Sequence, residues 1–125
     1  MKYRFFLYVA LTASLVLLTF GCGPDPEQLY NEGNAFLKSE KWGDAITSFD
    51  KVIDSDPDHA KAYNALGIAH SKLGNQDKAL LNFDKALKSG HAKGITNKLR
   101  GDILLSMGQY ERAAEDYSKM LEIYD

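Results

Sequence analysis

Cysteine is almost missing from this chain of 125 residues: Cys22 stands alone, so no disulfide framework and no thiolate metal cluster is built from its sequence. Proline occurs three times, at 24, 26 and 57, which excludes a proline-rich linker or polyproline segment. Neither charge sign dominates. With 15 Lys+Arg against 17 Asp+Glu the net charge is −2, far from the balance of a general polyanion binder, so nucleic acid is not expected as a partner. The three histidines, His59, His70 and His91, have no Cys or second His at ligand spacing, so no metal site is expected. Glycine-rich phosphate loops and nucleophile elbows are absent as well. The sequence therefore offers no catalytic residues, no cofactor site and no enzymatic activity.

What is present is unevenly distributed. Lys2 and Arg4 precede the uncharged run Phe5 to Phe20, which ends at Gly21-Cys22, and nearly every charge falls after Asp25. A basic start followed by 16 apolar or hydroxyl residues has the order of a secretory signal peptide, and it is shorter than the roughly 20 residues that span a bilayer core. The segment Leu18-Thr19-Phe20-Gly21-Cys22 resembles the lipobox of bacterial lipoprotein precursors. That resemblance implies a diacylglyceryl group on Cys22, cleavage before it, and a signal peptide over 1–21. The alternative is an incidental free thiol behind an ordinary signal peptide. Cleavage leaves 104 residues with a net charge of −4, and residues 22–26 form a short tether that reaches only about 13 Å to the first helical pattern.

From residue 27 onward one period governs the chain. Gly33, Gly67 and Gly101 are 34 residues apart, as are Ala45, Ala79 and Ala113, then Phe49, Phe83 and Tyr117, and then Ile53, Leu87 and Leu121. Apolar residues between them recur at helical spacing, for example Ala45, Ile46, Phe49, Val52 and Ile53, and no run alternates as a strand does. Each period reads as two antiparallel helices. They are expected near 27–39 and 43–55, 60–73 and 77–89, and 95–107 and 111–124, with breaks at Gly74-Asn75, Gly108-Gln109 and Asp56-Pro57-Asp58. The recurring Gly and Ala let paired helices approach, while the ring four residues after the Ala fills the adjoining space. His70 takes an aromatic register and is read as a packed substitute.

These residues resemble the tetratricopeptide repeat. Unit two carries Tyr63, Leu66-Gly67, Ala79, Phe83 and Ala86; unit one carries Leu29, Gly33, Phe36, Trp42, Ala45, Phe49 and Pro57; unit three carries Gly101, Leu104, Tyr110, Ala113 and Tyr117. Glu32 and Arg100 stand where the pattern has Leu. The resemblance implies an all-α fold, an α-solenoid of three helix-turn-helix repeats (six helices) over 27–125, with repeats at about 26–59, 60–93 and 94–125. Unit two ends in Lys88-Ser89-Gly90-His91-Ala92-Lys93-Gly94 instead of the acidic-Pro closure, so the junction to unit three is expected to be the softest.

The resemblance also implies where a partner lies: in a concave groove lined by the first helix of each unit. Its second, fifth, ninth and twelfth positions select Glu27, Tyr30, Asn34 and Leu37, then Lys61, Asn64, Ile68 and Ser71, then Ile95, Lys98, Asp102 and Leu105. Apolar side chains mixed with amides suit an extended peptide or a helix. A branch of the family clamps a C-terminal carboxylate with Lys, Asn, Asn, Lys and Arg. Only Asn34 fits that set here, with Tyr30, Ala65, Ile95 and Leu99 in the other places, so the clamp is not expected. Together the resemblances imply a lipoprotein anchored through Cys22 to a bacterial cell membrane or outer membrane, binding an envelope protein. The alternative is a self-associating structural lipoprotein.

Two further features carry expectations. Lys85, Lys88, Lys93, Lys98 and Arg100 fall in a stretch without an acidic residue, facing either anionic headgroups, an acidic partner or simply solvent around a helix. On the last helix Ala114, Tyr117, Leu121 and Tyr124 continue an apolar stripe with no further unit after it. Tyr117, Leu121 and Tyr124 are therefore expected to form a second contact surface, for a partner helix or a homodimer.

Overall fold

A computed structural model describes residues 23–90 and 92–125. The expected signal peptide and the Cys22 thiol lie outside the described residues, as does His91. Six helices follow one another: α1 (Pro26–Lys38), α2 (Trp42–Ser55), α3 (Ala60–Lys72), α4 (Gln76–Lys88), α5 (Lys93–Ser106) and α6 (Tyr110–Tyr124). The fold is all-α, with three helix pairs in series, as the 34-residue period predicts. Helix α5 begins two residues earlier than its apolar pattern indicates.

The helix ends follow from local chemistry. Asp25 caps α1 by accepting from the Glu27 N–H, Pro26 stands in the first turn, and His59 Nδ1 caps α3 by accepting from the Ala62 N–H at 3.1 Å. Each pair is joined by the same turn. The N–H of Lys41, Asn75 and Gln109 donates to the carbonyl five residues back, on Phe36, His70 and Leu104, each at 2.9 Å. That closure needs a left-handed residue one place earlier. Gly74 (φ 78°) and Gly108 (φ 74°) supply it in units two and three, whereas Glu40 (φ 58°) occupies the same register in unit one.

Packing explains the glycine register. A Cβ on Gly33 would lie 2.6 Å from Phe49 Cε1, one on Gly67 would lie 2.5 Å from Phe83 Cε1, and one on Gly101 would lie 2.9 Å from Tyr117 Cε1. The glycine on the first helix makes room for the ring that arrives 16 residues later on the second. Phe49, Phe83, Ala45 and Ala79 are buried completely or nearly so. One core cluster joins Leu29, Phe49, Val52, Tyr63, Leu66 and Ala86, and a second joins Ala79, Phe83 and Ile103, so the packing is continuous across unit boundaries.

Curvature follows from which helices meet. First helices touch across units, α1 with α3 and α3 with α5, whereas no contact joins α2 to α4 or α4 to α6 among the described residues. The first helices therefore line the inner, concave side. No described helix is long and apolar enough to cross a membrane.

Candidate partner-binding groove

Helices α1, α3 and α5 bring the groove positions onto one face. Tyr30 packs its ring against Phe49 and His59, with centroids 5.7 and 5.2 Å away. Leu37 and Ile68 are half-buried against the two core clusters, and Ile95 and Leu105 are exposed. Asn34 and Ser71 are half-buried and make no side-chain hydrogen bond among the described residues, so their polar atoms remain available. Asn64 differs: its Oδ1 accepts from the hydroxyl of the buried Thr96 at 3.1 Å, which ties α3 to α5.

The unit-three end of the groove is ionic and internally paired. Lys98 donates to Asp102 Oδ2 at 2.8 Å, and the Tyr117 hydroxyl donates to Asp102 Oδ1 at the same distance. Burial first, and then the bond to Asp102, pushes the Tyr117 phenol above its ordinary pKa. Glu27 and Lys61 are exposed. Lys61 lines a separate cavity of ≈390 Å³ with His59, Ala60, Ser89 and Gly90, where units one and two meet the loop after α4.

The expected C-terminal surface divides. Tyr117 turns toward α5, its ring on Gly101 and its hydroxyl on Asp102, and is half-buried. Tyr124 lays its ring against Gly94, where an added Cβ would lie 2.8 Å from it, yet remains 70% exposed. Leu121 is 55% exposed, and Ile123 beside it is also exposed. Tyr117 is thus a packing residue, because its register is that of Phe49 and Phe83.

His70 is half-buried, with its Nδ1 buried and unbonded. Burial chiefly, then Lys78, holds its pKa below the ordinary value, against the opposing pull of Asp50. No group of three or more His, Cys, Asp and Glu side chains is placed to hold a metal among the described residues.

One polar cluster was not anticipated. Arg100, in the register of Leu66, donates through Nε and Nη2 to the two carboxylate oxygens of Asp116 at 2.7 and 2.6 Å, and through Nη1 to Asp84. Asp116 is 2% exposed and Arg100 18%. The hydrogen bonds of Asp116, and after them those of Asp84, hold the arginine's pKa above its ordinary value although burial opposes this. The available signal was a matched departure: Arg100 replaces a repeat leucine while Asp116 takes the register of Ser48 and Asn82.

Comparison with known proteins agrees with this geometry. A tetratricopeptide repeat profile matches residues 30–93, and a second matches 99–125. The chain belongs to the tetratricopeptide repeat family. As a member it is a protein-interaction module. Its relatives include the small glutamine-rich tetratricopeptide repeat-containing protein 2 of Mycosarcoma maydis, 31% identical over 97 residues, covering 78% of this chain and 28% of that one. Another is Hsp70-Hsp90 organizing protein 3 of Arabidopsis thaliana, 28% identical, covering 77% of this chain and 17% of that one. The chain thus spans under a third of these relatives. Among solved structures, the first TPR of Spaghetti (RPAP3) bound to the HSP90 peptide SRMEEVD superposes with a TM-score of 0.74 at 24% identity, covering 78% of this chain and 77% of that one. MamA superposes at 0.75 and 23% identity, covering 78% of this chain and 57% of that one. These two likenesses bear on the fold alone.

Proposed function

We propose that this protein is a membrane-tethered tetratricopeptide-repeat lipoprotein that holds an extended peptide or a helix of a cell-envelope protein in its concave groove. The observation that carries the reading is the groove's central strip. There Asn34 and Ser71 keep free polar atoms beside half-buried Leu37 and Ile68, a surface able to bond a peptide backbone while covering apolar side chains. The protein works by positioning its partner.

Recognition differs from capture of a charged C-terminus. The peptide in the Spaghetti structure is acidic and ends in Asp. Here the clamp places hold Tyr30, Ala65, Ile95 and Leu99, with Ala65 buried, while Lys98 is committed to Asp102. The groove supplies apolar contacts and amides where a carboxylate clamp needs cations, so a partner's internal segment fits better than its terminus.

The tether is the second half of the reading. A thioether-linked diacylglycerol on Cys22, at about 0.8 kcal/mol per buried methylene, holds a domain stably on a bilayer. Palmitate labelling in cells tests it: wild type incorporates label, and Cys22→Ala accumulates as an unlabelled precursor. Label in the Ala variant, or none in wild type, contradicts the anchor. A self-associating role is the second reading, favoured by the exposed Leu121 and Ile123 on α6.

A further inference from the structure

The third repeat departs from the first two on the side of α5 that faces α4 and α6. Where units one and two carry Leu29 and Tyr63, unit three carries Asn97. Tyr63 is buried, its hydroxyl donates to the Pro57 carbonyl at 2.9 Å, and Lys85 lies over its ring at 5.1 Å. Asn97 has no ring to fill the equivalent space. A cavity of ≈500 Å³ lies there between α4, α5 and α6, and Lys88, Lys93, Arg112 and Lys119 line it together with Asn97 and Arg100. Lys119 stands one repeat after Lys85 and, with no ring to cover, borders the cavity while bonded to Glu115 at 2.6 Å.

The wall of this cavity is electrically uneven, with Leu87 its apolar member. Asn97 is only 5% exposed and stands in the lining of the cavity. An amide in the lining can donate to a group within the cavity and so add a directed bond to the surrounding positive charge. Asp84 is the one carboxylate of the lining, and Arg100 engages it. Arg112 donates to the neutral Gln109 Oε1 at 2.6 Å, which leaves its charge uncompensated. Lys88 and Lys93 have no acidic partner among the described residues. None of the lining residues belongs to the groove positions. The basic stretch thus splits three ways: Lys85 covers Tyr63, Lys98 pairs in the groove, and Lys88, Lys93 and Arg100 converge on this cleft.

We infer that the cleft between α4, α5 and α6 binds a phosphate-class oxyanion, carried by a small soluble molecule or by a phospholipid headgroup, with the Asn97 amide donating from the wall and Lys88, Lys93 and Arg112 from the rim. Charge-assisted bonds from Lys and Arg to phosphate oxygens are short and strong, and a fixed amide adds direction to them.

The test is a nuclear magnetic resonance titration of the full chain in neutral maltoside micelles, following the Asn97 side-chain amide as pyrophosphate is added at constant ionic strength. Saturable movement of that amide is expected, with affinity weakened about tenfold or more in Lys88→Gln/Lys93→Gln, whose surface changes leave folding untouched. Asn97→Leu, which restores the repeat's apolar residue, is followed instead through the Lys93 backbone amide, which should titrate about tenfold more weakly in the variant than in wild type, at unchanged helix content. A second arm replaces pyrophosphate with phosphatidylglycerol doped into the micelles, against phosphatidylcholine. Movement with phosphatidylglycerol assigns a headgroup, and movement with pyrophosphate alone assigns a soluble ligand. An Asn97 amide unmoved in both arms, or a double-lysine variant that titrates like wild type, overturns the site.

Discussion

A methyl group at Gly67 has nowhere to go. Its Cβ would sit 2.5 Å from Phe83 Cε1 inside a core that Ile103 of unit three also closes, so Gly67→Ala should destabilise the domain by about 1–3 kcal/mol through overpacking. Gly43, also helical, has nothing within 4 Å of an added Cβ, and Gly43→Ala should instead be neutral or stabilising by up to about 1 kcal/mol. The denaturant midpoint of Gly67→Ala should fall while that of Gly43→Ala holds or rises, and equal shifts would contradict the packing account. His70 gives a pH prediction at the same scale. Burial holds its folded pKa below the ordinary 6.5, so the unfolded chain takes up the proton first as pH falls. The stability tied to neutral His70 is therefore complete above 6.5 and is lost as pH falls from there through the depressed folded value. His70→Phe, which restores the register of Phe36, should flatten that slope; unfolding curves between pH 7.5 and 5 measure it, and a slope identical to wild type sinks the assignment.

Each helix pair was legible because three copies of one solution lie in register, and the residues that repeat are those that pack: Gly33, Gly67 and Gly101 against Phe49, Phe83 and Tyr117. What the sequence concealed are the places where a single unit differs. Glu40 occupies a left-handed turn that glycine fills twice elsewhere, and its identity gives no hint of φ 58°. Arg100 reads in sequence as one more cation of a basic stretch, since the residue that accounts for it, Asp116, lies 16 positions away on the next helix. Of the groove, the spacing of its positions was legible as one stripe along each first helix, but the commitment of Asn64 to Thr96 and of Lys98 to Asp102 depends on neighbours that the repeat pattern does not specify. The Arg100–Asp116 pair locks α5 to α6 in a way that can be measured. Arg100→Leu leaves an almost fully buried carboxylate unpaired and should cost about 3–5 kcal/mol, whereas Arg100→Leu with Asp116→Asn should recover much of that loss. Thermal or denaturant melts of the single and double variants check it, and additive losses would show that the two residues act independently.

At the scale of the whole molecule, the six described helices present two unlike faces: a concave strip of amides and apolar side chains, and a cationic cleft on the other side of α5 bounded by α4 and α6. A lipid on Cys22 would confine both near a bilayer, since only Gly23, Pro24 and Asp25 separate that residue from α1. The groove is the central claim, and its most direct test is site-specific photo-crosslinking in living cells from the full chain, with the probe placed in turn at Ser71 in the groove, at Glu111 on α6, and at Leu121. The account predicts a discrete adduct with an envelope protein from Ser71 and none from Glu111, with Leu121 reporting any adduct of two copies. Equal adducts from Ser71 and Glu111, or none from Ser71 while Leu121 crosslinks two copies, would contradict the groove as the working face.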